Sequence, residues 1–196
     1  MSRDTIAKLL NADSLFFSVS SLQGMFDITR ESARTMASRL VKRGILVRIQ
    51  RDLYSLANRK YSLFSLANAL YQPSAISLET ALNYWGLIVQ VPQTIFSIGQ
   101  ASYQCVADNT QFVYRRMPAG LFRFGQVKVE DFFIVGPEKS LLDSLYMRTK
   151  GLVELLPEDV DMAKLDAELL KYYCRLYPTN VKKLLNVFEK QEYEAK

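Results

Sequence analysis

Apolar positions along the chain recur at two spacings, and the change from one to the other falls at Gly44. Before it, Ala33, Met36, Ala37, Leu40 and Val41 lie at i, i+3, i+4, i+7 and i+8, the stripe of a helix of about fourteen residues with one face in a core. Thr29 is placed to cap this helix, because its hydroxyl can accept from an orphan N–H of the first turn. Gly44 is placed to end it in the left-handed conformation. At roughly 100° per residue the side opposite the stripe carries Glu31, Thr35, Ser38 and Lys42, with Arg34 and Arg39 beside them. After Gly44 the period becomes two. The runs 45–49 and 53–57 are rich in β-branched and aromatic residues and are joined by Gln50-Arg51-Asp52, which predicts a hairpin tipped by Arg51 with Arg48 close by.

Upstream, Ser2–Leu10 predicts a first helix with Ile6, Leu9 and Leu10 facing in. Ser20 and Gln23 fit a capping box that opens a short second helix ending near Phe26, and 27–29 forms a tight turn. Helix, helix, turn, helix, hairpin is the order of a winged helix-turn-helix, in which the third helix reads bases and the wing holds phosphate. On that reading Arg30, Arg34, Thr35, Ser38, Arg39 and Lys42 face the major groove of double-stranded DNA, and Arg48 and Arg51 meet flanking phosphates. The plainer alternative is an amphipathic helix packed on a hairpin with a solvated charged face.

The first domain is expected over residues 1–58, followed by the polar joint Asn58-Arg59-Lys60 and a second domain over 61–196. Tyr61–Tyr71 reads as a helix stopped before Pro73, and Ser77 caps another with Leu78, Ala81, Leu82 and Trp85 on one face. From Val89 to Val135 the period is mostly two, with turn signals at Pro92, Asp108-Asn109, Pro118-Ala119-Gly120 and Gly125. Strands are expected near 94–98, 111–116, 121–124 and 127–135, in one largely antiparallel sheet. Arg115, Arg116 and Arg123 sit in these strands, either extending a nucleic-acid surface or as ordinary exposed charges on a half-buried sheet. Pro137 at N1 and Glu138 in the first turn open a helix with Leu141, Leu142 and Leu145 inward, and the tail reads as two helices broken by Pro178-Thr179-Asn180. The fold class is therefore α+β: an N-terminal winged helix-turn-helix, then a mixed α/β domain with a mostly antiparallel sheet and C-terminal helices.

Charge strengthens the division. Residues 1–60 hold 11 Lys and Arg against 5 Asp and Glu, net +6, whereas 61–196 hold 14 against 15, net −1. The positive charge lies wholly in the helix-and-wing segment, as expected of a domain that meets a polyanion. With 49% hydrophobic residues the chain can bury a core, which excludes disorder. It contains no histidine, so the commonest general base and metal ligand is missing. Cys105 and Cys174 have no CxxC spacing and read as buried apolar residues in a reducing cytosol. The glycine-rich phosphate loops and the GxSxG elbow are absent. Asp131 with Glu138-Lys139 is faintly like a metal nuclease, but such a site needs acid and lysine two apart on one strand, and helix capping accounts better for Glu138. No catalytic residue, metal or cofactor is expected. No apolar run approaches eighteen residues and the N-terminus is a polar amphipathic helix, so a soluble cytoplasmic protein without membrane contact is expected.

Three segments carry a resemblance: Leu40–Leu46 (LVKRGIL) leading to Leu53–Leu56 (LYSL), then Pro73–Leu87 (PSAISLETALNYWGL), then Pro137–Tyr146 (PEKSLLDSLY). In order and spacing these resemble the antitoxin-regulator family of abortive-infection AbiE systems (AbiEi-like), over roughly residues 5–150, with the tail matching only as generic helices. The resemblance implies a winged helix-turn-helix that binds inverted repeats in its own promoter, as a monomer or a weak dimer pairing on DNA. It also implies a C-terminal α/β domain that neutralises a nucleotidyltransferase-like toxin encoded beside it, although some relatives act as plain regulators. Two departures stand out. The family mostly has Gly where this wing turn has Asp52, and often has His where this chain has Trp85. A protein-interaction module acting by direct contact is the rival reading of the same chain.

Overall fold

A computed structural model describes residues 3–194, with side chains from Asp4 to Lys190; Ser2 and the last two residues of the expected tail helix lie outside the described residues. The chain divides into two compact units at Leu70/Tyr71.

The first unit contains α1 (Arg3–Leu10), β1 (Phe16–Ser18), α2 (Val19–Phe26), α3 (Arg30–Lys42), β2 (Leu46–Gln50), β3 (Leu53–Leu56) and α4 (Leu63–Leu70). Its three strands form an antiparallel sheet in the order β1-β3-β2. Phe17, Leu22, Ala33, Ala37, Leu40 and Leu46 form the centre of its core. Ala33 and Ala37 bring the α3 backbone close to that centre, which a larger side chain would prevent. Leu10, expected to face inward, is 53% exposed, whereas Leu9 is fully buried. The cap of the second helix lies two residues earlier than expected. Ser18, not Ser20, is the N-cap and accepts from Ser21 N. Phe16–Ser18, for which the sequence pattern predicts no element, form β1, where Phe17 pairs with Tyr54 of β3. Three residues are too few to display a period.

The second unit contains β4 (Ser74–Ile76), α5 (Leu78–Tyr84), β5 (Thr94–Gly99), β6 (Tyr103–Ala107), β7 (Thr110–Arg116), α6 (Ala119–Phe122), β8 (Gln126–Val129), β9 (Phe132–Val135), α7 (Pro137–Arg148), α8 (Ala167–Cys174) and α9 (Thr179–Glu194). The sheet order is β6-β7-β5-β4-β9-β8. It is mixed rather than largely antiparallel, because β5 pairs parallel to β7 and β4 parallel to β9. The sequence pattern predicts neither β4 nor β6; all three residues of β4 are buried, so it shows no alternation, yet it lies inside the sheet and joins its two halves. The strand expected at 121–124 is instead a helical turn, closed by Leu121 and Phe122 N–H groups donating to Pro118 O. The expected 127–135 strand is the hairpin β8–β9, bent at Glu130 with φ 50°. The molecule is thus α+β, as expected. Among the described residues no helix is long and apolar enough to cross a membrane.

Candidate nucleic-acid interface

Thr29 caps α3 as its sequence position predicts: its Oγ1 accepts from Ser32 N at 3.2 Å. The stripe then sets the rotation of the helix. Ala33, Ala37 and Leu40 are fully buried, and Met36 and Val41 are half-buried. What remains outward is polar: Arg30, Glu31, Arg34, Thr35, Ser38, Arg39 and Lys42 are all exposed. By helical angle Thr35, Ser38 and Lys42 fall within about 60° of one another at the centre of that arc. A shallow hollow on this face, about 470 Å³, is lined by Glu31, Ser32, Thr35, Met36 and Arg39. Thr35 and Ser38 are short, Glu31 and Lys42 share the middle of the arc with them, and Arg30, Arg34 and Arg39 lie towards its edges.

The hairpin follows α3 through Gly44, whose φ of +67° suits a residue without a Cβ. Leu46 pairs with Leu56 and Gln50 with Leu53, with an irregularity between Arg48 and Gln50. The turn is therefore Arg51-Asp52, both tip positions being filled by charge. Arg48 and Arg51 are exposed, and Arg48 Nε donates to Gln50 O at 3.3 Å. All eight residues expected to face DNA are thus on the surface of one unit.

Asp52 adds an arrangement that periodicity does not reveal. It takes φ 62°, and its carboxylate grips Arg34, with Nε to Oδ1 at 3.3 Å and Nη2 to Oδ2 at 2.8 Å. Arg30 Nη2 lies 3.5 Å from the same Oδ2. The Arg34 hydrogen bond holds the Asp52 carboxyl below its ordinary range, against a smaller opposing effect of desolvation. The turn is also tied from behind, since Val19 N donates to Asp52 O at 3.1 Å. The only sequence sign of this clamp is an acid at a turn, eighteen positions from an arginine, and nothing local links the two.

In the second unit the doubtful catalytic set comes apart. Asp131 is exposed on the β8–β9 turn, while Lys139 is fully buried with its Nζ 2.8 Å from Asp143 Oδ1. Tyr177 Oη donates to the same oxygen at 2.6 Å, and Ser77 Oγ donates to Asp143 Oδ2 at 2.9 Å. Burial, with the Asp143 charge beside it, raises the Tyr177 phenol well above its ordinary range, so it remains a donor. Gly125, at φ +65°, makes room for the lysine stem: a Cβ there would stand 2.7 Å from Lys139 Cδ. Glu138 does not cap α7. Its Oε1 accepts from Asp166 N at 3.0 Å, at the start of α8. Trp85 Nε1 donates to Val135 O at 2.8 Å, so that residue braces the sheet. Burial raises both cysteine thiols, which keeps them protonated. Among the described residues no group of three or more Cys, Asp and Glu is placed to hold a metal.

A separate groove of about 450 Å³ in this unit is lined by Ile88, Val89, Gln90 and Leu155, with Glu79, Glu154, Glu158 and Asp159 around them. Val89 is 95% exposed.

No protein-family profile matches the chain, and no curated protein does. Among solved structures it is similar to the crystal structure of the RV2827C protein from Mycobacterium tuberculosis, with a TM-score of 0.50 and 14% identity over 90% of this chain and 72% of that one. At such identity the likeness concerns the fold alone, and it agrees with an α+β protein.

Proposed function

We propose that the chain is a non-catalytic, sequence-specific transcriptional repressor whose first unit is a winged helix-turn-helix. On this reading α3 enters the major groove of double-stranded DNA, with β2–β3 as the wing. Thr35, Ser38, Arg39 and Lys42 meet base edges or the groove rim together with Arg34, Arg30 lies at its entry, and Arg48 and Arg51 hold phosphate. The observation that carries this is the rotation of α3: Ala33, Ala37 and Leu40 are sealed in the core while every cationic and hydroxyl-bearing position is outward. The resemblance to AbiE antitoxin regulators extends the proposal to a cytoplasmic autorepressor acting on inverted repeats in its own promoter, and to an antitoxin for a nucleotidyltransferase-like toxin. Gel shifts with DNA from upstream of its own gene test the proposal. Arg34→Ala is expected to cost about 1–3 kcal/mol of specific binding, as for one base-reading arginine, while Arg51→Ala weakens all duplexes alike. If neither substitution changes the shift, those assignments fail.

A second reading, contact with a partner protein, is favoured by the groove beside Val89, whose apolar floor and four carboxylates suit a basic protein segment. It uses the other unit and can coexist with the first. Co-purification of the neighbouring gene product, resistant to DNase and high salt and lost in Val89→Asp, supports it; a complex indifferent to that change speaks against this surface.

A further inference from the structure

Asp52 stands where a glycine would adopt the observed backbone without cost. At φ 62° an aspartate is tolerated but strained, and strain of this kind persists where the side chain has a task. Its side chain is occupied with two arginines of α3, one of them held by both carboxylate oxygens.

The geometry of that grip is specific. Asp52 takes the Nε–Nη2 edge of the Arg34 guanidinium, at 3.3 and 2.8 Å. A guanidinium has five N–H donors in a fixed planar fork, so the clamp leaves the Nη1–Nη2 edge presenting two parallel donors. Two parallel donors on one edge match O6 and N7 of a guanine in the major groove. The Asp52 main chain is itself held by Val19, which anchors the backbone from which the carboxylate reaches Arg34. An arginine held this way gives up less side-chain freedom on binding than an unsupported one. The same contact offsets positive charge at the helix start, where it would otherwise attract any phosphate indiscriminately.

We propose that Asp52 is a specificity-determining positioning residue that orients Arg34 to read one guanine in the bound duplex. This rests on the DNA-binding reading above and adds to it the class of base read. Asp52 does not itself touch DNA; it acts through Arg34.

The test is selection of duplexes from a randomised library by the full chain, followed by affinity measurements on the selected sequence and on a scrambled duplex. The wild-type chain selects a motif with one guanine whose replacement costs about tenfold in affinity. Asp52→Gly keeps the turn, since glycine takes φ 62° freely, and is expected to lose that guanine preference while binding the scrambled duplex as well or better. Asp52→Asn, which also tolerates the left-handed region, loses most of it. Arg34→Ala loses the same guanine, and adding Asp52→Gly to it changes the guanine preference no further, as expected for two residues acting as one unit in reading that base. A general structural role would instead weaken both duplexes together. If either Asp52 variant retains the guanine preference at wild-type strength, the proposal is overturned. If the wild-type chain selects no duplex at all, the DNA-binding reading itself fails, and with it this extension.

Discussion

Glu79 shows burial and charge at odds within a single side chain. Its Oε2 is buried without a hydrogen-bond partner among the described residues, and desolvation raises its carboxyl above the ordinary 4.5, only partly countered by its own N–H and by Arg115. Since the folded state favours the protonated form, the carboxylate costs stability above the folded pKa. That penalty fades as pH falls through the folded value and is gone below the unfolded one. Glu79→Gln is therefore expected to stabilise the chain by about 1 kcal/mol at pH 7, the order of one unsatisfied buried group. Thermal melts of the two proteins should converge as pH falls towards 4.5. A variant no more stable at pH 7, or an advantage that grows on acidification, contradicts this. Neither this conflict nor the Asp52 clamp could be read from the chain, because both depend on which distant residues share a few ångströms. Thr29 and Gly44, by contrast, act through their own backbone neighbours and were readable as the limits of α3.

Helix α7 lies where its sequence places it, but its surroundings differ from those its pattern implies. Pro137 at N1 and the stripe Leu141, Leu142, Leu145 predict its place, yet Glu138 through Met147 are all buried, so the helix has no solvated side over that stretch. Hydropathy assigns Lys139 and Asp143 to a surface, but they form an internal ion pair that also receives Tyr177 and Ser77, joining α7 to the segment before α9 and to the β4–α5 junction. The i,i+4 spacing of opposite charges was visible, its burial was not. A buried pair is costly to break and far less costly to replace whole. Lys139→Met is expected to destabilise the protein by about 3–5 kcal/mol in urea unfolding, and Lys139→Met with Asp143→Leu to recover most of that loss. A single variant within about 0.5 kcal/mol of wild type, the range of an ordinary surface change, would refute this account of the network. Short strands failed for a related reason: β1 and β4 have three residues each, and β4 is buried on both faces, so neither presents the alternation that disclosed β2, β3, β5 and β7.

Net charge separates residues 1–60, at +6, from residues 61–196, at −1, so the cationic surplus of the chain lies on the unit that carries α3 and the following hairpin. The mixed order of the larger sheet was beyond reach, since parallel pairing of β5 with β7 and of β4 with β9 is set by long-range partners that no local pattern names. The central claim is that the cations of the first unit meet a duplex. It is tested most directly by the salt dependence of duplex affinity, measured by fluorescence anisotropy for the full chain and for Arg48→Ala, Arg51→Ala and the variant carrying both. Each phosphate contact removed should reduce the slope of log K against log salt by about one, with the loss similar on specific and unrelated sequences. Slopes identical to wild type in all three variants, or no measurable duplex binding at low salt, would contradict the account.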